Sequence, residues 1–270
     1  MTTATAESAA ATAAPKAERI LLPVNNQPAV FESLLFFKAE AGLAEFGQQF
    51  DSLRQQFGRL QGIAQRRDQA LTTGEKDALN KVLEQEARDL DSKDALFQKV
   101  YGFRVVALGN RPVKVLQTRR LLLTVTDEEL AKARQEKDFK EENVVTIEGK
   151  KHLVASTMSG LALEEFLRNY QVITNKRTNL VNFKAAADKA TGEEKARLDA
   201  AVKEGEADLI KDNEIMAKTY GFSLTRNFAM DFIEAKLFVM LVEEEVQKLK
   251  NEQAAATEAP AKKPADKAKN

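Results

Sequence analysis

Apolar residues recur at alternating spacings of four and three along much of this chain. Phe46, Phe50, Leu53, Phe57, Leu60 and Ala64 fall on one helical stripe of the coiled-coil kind. Leu79, Leu83, Leu90 and Phe97 extend the logic on the next segment, with Ala87 and Tyr101 close to the same face. Thr72-x-x-Glu75 reads as a capping box opening that second segment. Each segment is long enough for a helix of roughly 28 residues, about 40 Å. The joint between them is short, so the pattern predicts an antiparallel helical hairpin.

The same pattern returns about 120 residues later. Between 79–103 and 198–222, seven positions are identical at an offset of 119: Leu79, Asp89, Leu90, Lys99, Tyr101, Gly102 and Phe103 match Leu198, Asp208, Leu209, Lys218, Tyr220, Gly221 and Phe222. At an offset of 120, Phe46 falls on Phe166, Phe50 on Tyr170, Leu53 on Ile173 and Leu60 on Leu180. The offset changes only across the turns "TTGEK" and "ATGEEK", where insertions are tolerated. Thr191-x-x-Glu194 repeats the capping-box signature. The chain therefore carries an internal duplication. Gly102 and Gly221 stand where the second helix of each copy should end, a place that favours a left-handed backbone without a Cβ.

Beyond these glycines the copies read as divergent. Residues 104–126 are rich in β-branched residues and broken by Gly109, Asn110 and Pro112, which predicts short strands. Thr126-x-x-Glu129 predicts a capped helix to about Lys140, and 144–154 a hairpin turning at Glu148-Gly149-Lys150. Residues 226–253 are apolar nearly all round as far as Val242 and predict a third, buried helix. The fold expected is mainly α, indeed all-α outside a small insert: two tandem antiparallel coiled-coil hairpins joined by a mixed strand and helix insert, with disordered termini. The boundaries run 1–30 for the tail and lead-in, 31–103 for the first hairpin and 104–158 for the insert. The second hairpin with its third helix takes 159–251, and 252–270 forms a Lys/Ala/Pro tail.

Composition narrows the function by exclusion. The 41 basic and 41 acidic residues cancel, so no global field steers the chain onto nucleic acid or anionic lipid. Cysteine is absent and histidine occurs once, as His152, which removes disulfides, thiolate sites and His-rich metal sites. No phosphate-binding glycine loop or nucleophile elbow is present. Neither catalytic residues nor a metal or cofactor site is expected, and His152 reads as a surface residue beside a turn. The start of the chain lacks a secretory pattern, and no stretch is apolar enough to span a bilayer, so a cytoplasmic protein without membrane contact is expected.

One charge feature rises above this background. Between Asp94 and Asp127 lie six bases, Lys99, Arg104, Arg111, Lys114, Arg119 and Arg120, and no acid. They form the candidate surface for an anionic partner, unless they pair internally with the acidic 127–142 segment and with the hairpin's own carboxylates. Two functional expectations follow. The first is a non-enzymatic scaffold or adaptor that binds a protein partner or a second copy of itself. The alternative is a nucleic-acid- or ribosome-associated protein that uses the 99–120 stretch.

Overall fold

The structure is a computed structural model that describes residues 12–13, 17–221, 223 and 228–258, the side chains of 12–13 and 252–258 excepted. Its elements, in chain order, repeat one series twice. The first copy runs β2 (Arg19–Val24), β3 (Gln27–Phe37), α1 (Glu40–Gln69), α2 (Thr73–Tyr101), β4 (Val113–Thr124) and α4 (Asp127–Ala133). Two additions decorate it: β1 (Thr12–Ala13) before β2, and the single turn α3 (Val105–Leu108) before β4. The second copy runs β5 (Val144–Ile147), β6 (Lys150–Ser159), α5 (Gly160–Ala187), α6 (Gly192–Tyr220), β7 (Phe228–Met240) and α7 (Glu243–Glu258). A 3-10 turn at Glu141–Asn143 precedes it.

Each series opens on the same device. β2 and β3 pair antiparallel up to Val24 and Gln27, and β5 and β6 up to Ile147 and Lys150, so both loops have two residues. Asn25 and Asn26 (φ 50° and 63°), like Glu148 and Gly149 (φ 48° and 75°), all have positive φ. That conformation matches the twist of the flanking strands, and Asn and Gly tolerate it best.

These strands correct the all-α expectation. The described residues hold a seven-stranded sheet in the order β1-β3-β7-β4-β6-β5, with β2 also on β3. The short strands expected in 104–126 are one strand of 12 residues, and the third helix expected over 226–253 is the 13-residue strand β7 followed by α7. Residues 104–158 are thus no insert. They hold the last strand of one copy and the first hairpin of the next. Leaving aside β1, exchanging the two copies reverses the strand order and leaves it unchanged. Each copy's opening hairpin is hydrogen-bonded to the closing strand of the other copy, β3 to β7 and β6 to β4.

The chain divides into two compact units. One takes residues up to Phe37, Gly42–Val115 and those from Lys236 on, and the other takes Lys38–Ala41 and Leu116–Ala235. In the first unit Phe46, Phe50 and Phe97 are buried between α1 and α2, and Phe37 of β3 meets Phe46 at 5.2 Å between centroids. In the second, Phe166, Ile173 and Met216 of the α5–α6 hairpin are buried with Leu121 of β4 and Met158 of β6. The ring geometry is conserved between copies: Tyr101 meets Phe46 edge-on at 5.1 Å and 82°, and Tyr220 meets Phe166 at 5.0 Å and 82°.

Tyr-Gly-Phe acquires its explanation here. Tyr101 and Tyr220 pack edge-on against the first helix of their own hairpins, and the glycines end the second. Gly102 (φ 82°, ψ −2°) and Gly221 (φ 81°, ψ 4°) are left-handed caps whose N–H groups donate to Gln98 O and Ala217 O. Phe103 stands edge-on to Phe97 at 5.4 Å, and Phe222 lies outside the described residues. At the N-termini the outcome is mixed. Thr126 and Glu129 make a full reciprocal box, but their helix stops at Ala133 rather than near Lys140. Thr72 caps Glu75 N. Thr191 makes no side-chain cap, and the Gly192 that follows it has φ 62°.

The backbone of α7 is helical to Glu258, past residue 252 where the disordered tail is expected to begin. The expected tail and lead-in over 1–30 is corrected too, because Arg19–Val24 and the residues from Gln27 on are paired strands. Residues 1–11, 14–16 and 259–270 lie outside the described residues. No helix among the described residues is long and apolar enough to cross a membrane.

Candidate functional site

The six basic residues do not gather into one free patch. Arg104 donates to Asp91 Oδ1 at 2.7 Å and lies 3.4 Å from Asp94. Arg111 grips both carboxylate oxygens of Glu245 at 3.0 Å, while its own carbonyl accepts from Arg54 at 2.7 Å. Arg119 donates to Glu40 and sits over the Phe232 ring at 5.6 Å. Arg120 donates through Nε to Asp231 at 3.1 Å. Lys114 is half-buried, and Lys99 is exposed on the last turn of α2. The carboxylates that answer these arginines come mostly from α1, α2, β7 and α7. The acidic 127–142 segment instead serves Lys151, through Asp127, and Arg134, through Glu141.

His152 is buried on β6, opposite Val145 and Thr124, with Nδ1 3.3 Å from the Thr124 hydroxyl. It is therefore not the surface residue its place beside a turn suggested, because the strand alternation turns it inward. Among the described residues no three His, Asp or Glu side chains come together to hold a metal ion.

The feature that sequence reasoning missed lies on the helices themselves. Beside the buried seam of the first hairpin, a groove of about 370 Å³ is lined by Gln49, Ser52, Leu53, Leu96, Phe97 and Val100. Beside that of the second, a groove of about 230 Å³ is lined by Asn169, Val172, Ile173, Ile215, Met216 and Tyr220. Within the offsets of the duplication these are one site built twice: Leu53 matches Ile173, Leu96 matches Ile215 and Phe97 matches Met216. Leu96 and Ile215 are 60% and 61% exposed. Val100 and Val172 add further exposed apolar surface. The heptad reading placed the seam correctly but ignored residues one step off it. Their signal was the recurrence of an apolar side chain at a position that the stripe does not need.

Polar ties hold the two helices at the same level. In the first hairpin the buried Gln56 donates to Asp89 at 2.7 Å, and Lys93 donates to the same carboxylate at 2.6 Å. Those two bonds, Lys93 first, hold the Asp89 carboxyl below its ordinary range. In the second hairpin Lys176, the counterpart of Gln56, donates to Asp212 at 2.6 Å, which raises the lysine above its ordinary value. The flanking charge is thereby reversed: Lys93 borders the first groove and Asp212, its counterpart, the second.

Fold and site together define a duplicated α+β protein with exchanged closing strands and two helical hairpins bearing equivalent grooves. Comparison with protein-family models, with curated proteins and with solved structures finds no match for it.

Proposed function

We propose that the chain is a non-enzymatic scaffold that associates with a second copy of itself through the exposed faces of its helical hairpins. The observation that carries this reading is the recurrence of an exposed apolar side chain at one site in both copies, Leu96 and Ile215. Each stands beside an exposed valine at a non-equivalent position, Val100 in the first and Val172 in the second. A two-helix hairpin buries one seam and leaves its broad faces wet, and packing one hairpin face on another makes a four-helix bundle. The reversed flanking charge favours a second copy as the partner. The first hairpin of one molecule against the second hairpin of another brings Lys93 near Asp212. Each already has a partner in its own hairpin, Asp89 and Lys176, so the preference is for matched sign over the like-charge approach of like hairpins, without a new ion pair.

The nucleic-acid alternative draws less support. Four of its six candidate residues, Arg104, Arg111, Arg119 and Arg120, already have carboxylate partners within the chain. Sedimentation equilibrium tests the reading. The wild type should self-associate in the micromolar range with weak dependence on salt, and Leu96→Glu with Ile215→Glu should give a monomer with an unchanged circular dichroism spectrum. A wild type that stays monomeric at about 100 μM, where even a weak homodimer would be populated, refutes it.

A further inference from the structure

Across the seam from Leu96 and Val100, the first hairpin carries a second groove of about 350 Å³, walled by Phe57, Leu60, Ala64 and Ala87 and reaching Asp94 and Arg104. Asp94 is 1% exposed. Its Oδ1 accepts the Val105 N–H at 2.7 Å, which fixes the turn after the glycine cap. Its Oδ2 lies 3.4 Å from Arg104 Nε without hydrogen-bond geometry. Neither atom has a hydrogen-bond partner among the described residues. The two attract as an ion pair but make no hydrogen bond, which leaves a buried acceptor and a buried donor each one bond short.

The duplication supplies an internal control. At the positions of Ala64 and Ala87 the second hairpin has Lys184 and Glu206, which bridge at 2.7 Å. At the positions of Phe57 and Asp94 it has Arg177 and Asn213, which face each other at 3.4 Å. Lys184 and Glu206 thus tie the helices together in the second hairpin at the point where Ala64 and Ala87 leave the first open. The two alanines that open this face occur in the first copy alone, unlike the grooves that both copies share.

We propose that this groove binds a small apolar molecule carrying one hydroxyl group, an alcohol or a phenol. A single hydroxyl supplies both missing partners: its O–H donates to Asp94 Oδ2, and its oxygen accepts the Arg104 Nε–H. An ammonium would satisfy the carboxylate and leave Nε–H unpaired. A carboxylate would be repelled, because Asp91 and Asp94 outnumber Arg104 on this side of the groove. The alanines and Phe57 take the apolar body. The volume lies at the lower end of the range of roughly 300–1,000 Å³ for small-molecule sites, so the ligand is small. Both atoms lie beneath the groove surface, and the hydroxyl enters between them by displacing the 35% exposed Arg104 side chain only far enough that its Nε–H still points at the hydroxyl oxygen.

The test is a titration of the full chain with 2-naphthol, followed by the probe's own fluorescence, beside the similarly shaped 2-methylnaphthalene. The hydroxyl compound should bind saturably at one site and about tenfold or more tighter than the methyl compound, since a site built for a hydroxyl rejects its apolar analogue. Ala64→Lys with Ala87→Glu imports the ion pair that the second hairpin already accommodates. It should weaken binding by about tenfold or more while the circular dichroism spectrum is kept. Asp94→Asn keeps an acceptor for Val105 and should bring the preference for the hydroxyl close to one. It decides the matter should the double variant fail to fold. Absence of saturable 2-naphthol binding up to about 1 mM overturns the proposal, as do equal affinities for the two probes. Unchanged binding in a folded double variant, or an intact hydroxyl preference in Asp94→Asn, overturns it as well.

Discussion

Replacing Gly102 and Gly221 tests the duplication at its most specific point. Both residues sit at φ near +80°, and a Cβ added to either would meet nothing within 4 Å among the described residues. Any cost therefore comes from backbone conformation and not from a clash. For an ordinary L-residue the left-handed region costs about 1–2 kcal/mol, and β-branching adds to it, whereas Asn tolerates the region through its short polar side chain. The expected order of loss at each site is Asn below Ala below Val, with Val near or above 2 kcal/mol at the upper end of that range. A size-driven effect would instead put Ala lowest. The two sites belong to different units, so Gly102→Val and Gly221→Val should combine additively within about 0.5 kcal/mol. Urea titration of the singles, the double and the Asn controls measures this, with the slope checked for constancy. A costly Val at one site and a neutral Val at the other would refute the equivalence of the caps. An order that follows side-chain volume would refute the conformational explanation.

Other outcomes follow from individual groups. Phe166, wholly buried among Ile173, Met216 and Leu121, should lose about 3–5 kcal/mol on truncation to Ala, read from the same urea midpoints. Asp94→Ala, which strands the Val105 N–H, should cost about 1–3 kcal/mol, and Asp94→Asn much less, in line with the Asn213 found at the matching place. The hydrogen bonds from Lys93 to Asp89, Lys151 to Asp127 and Arg134 to Glu141 lower those three carboxyls below their unfolded values. Their contribution is therefore complete above the unfolded carboxylate pKa, near 4, and is lost as pH falls through the lower folded values. Melting temperatures taken from pH 5 down to 2 should fall less steeply in a triple Asn/Gln variant than in the wild type, and parallel slopes would contradict the assignment. Amides of β7, paired on both sides by β3 and β4, should be among the slowest to exchange with deuterium, and those of the edge strand β5 much faster.

Much of this protein was legible because its information is local. The stripe from Phe46 to Ala64 buries its members in order, fully for Phe46, Phe50 and Leu53 and partly thereafter, as the hairpin runs away from its base. The glycine caps and the Thr126–Glu129 box lie within a few residues of the groups they satisfy, so sequence alone determined them. The Glu148-Gly149 turn announced itself in the same way. Asn25-Asn26 carried an equivalent signal that went unread, because a lead-in before the first helix was expected to be unstructured.

The sheet was decided elsewhere. Residues 228–240 contain Ala, Met, Glu, Lys and Leu, residues that a helix accepts readily. What makes them a strand is the presence of open hydrogen-bonding edges on β3 and β4, about 200 and 110 residues earlier in the chain, on both sides at once. No window around Phe232 contains those partners. The same holds for Arg111 and Glu245, or Arg120 and Asp231: the charges are visible in the sequence, but their neutralisation exists only once β4, β7 and α7 are in place. Helical periodicity and end caps are properties of one segment and can be read there. Strand pairing and charge pairing belong to two segments, and only the folded chain determines which two.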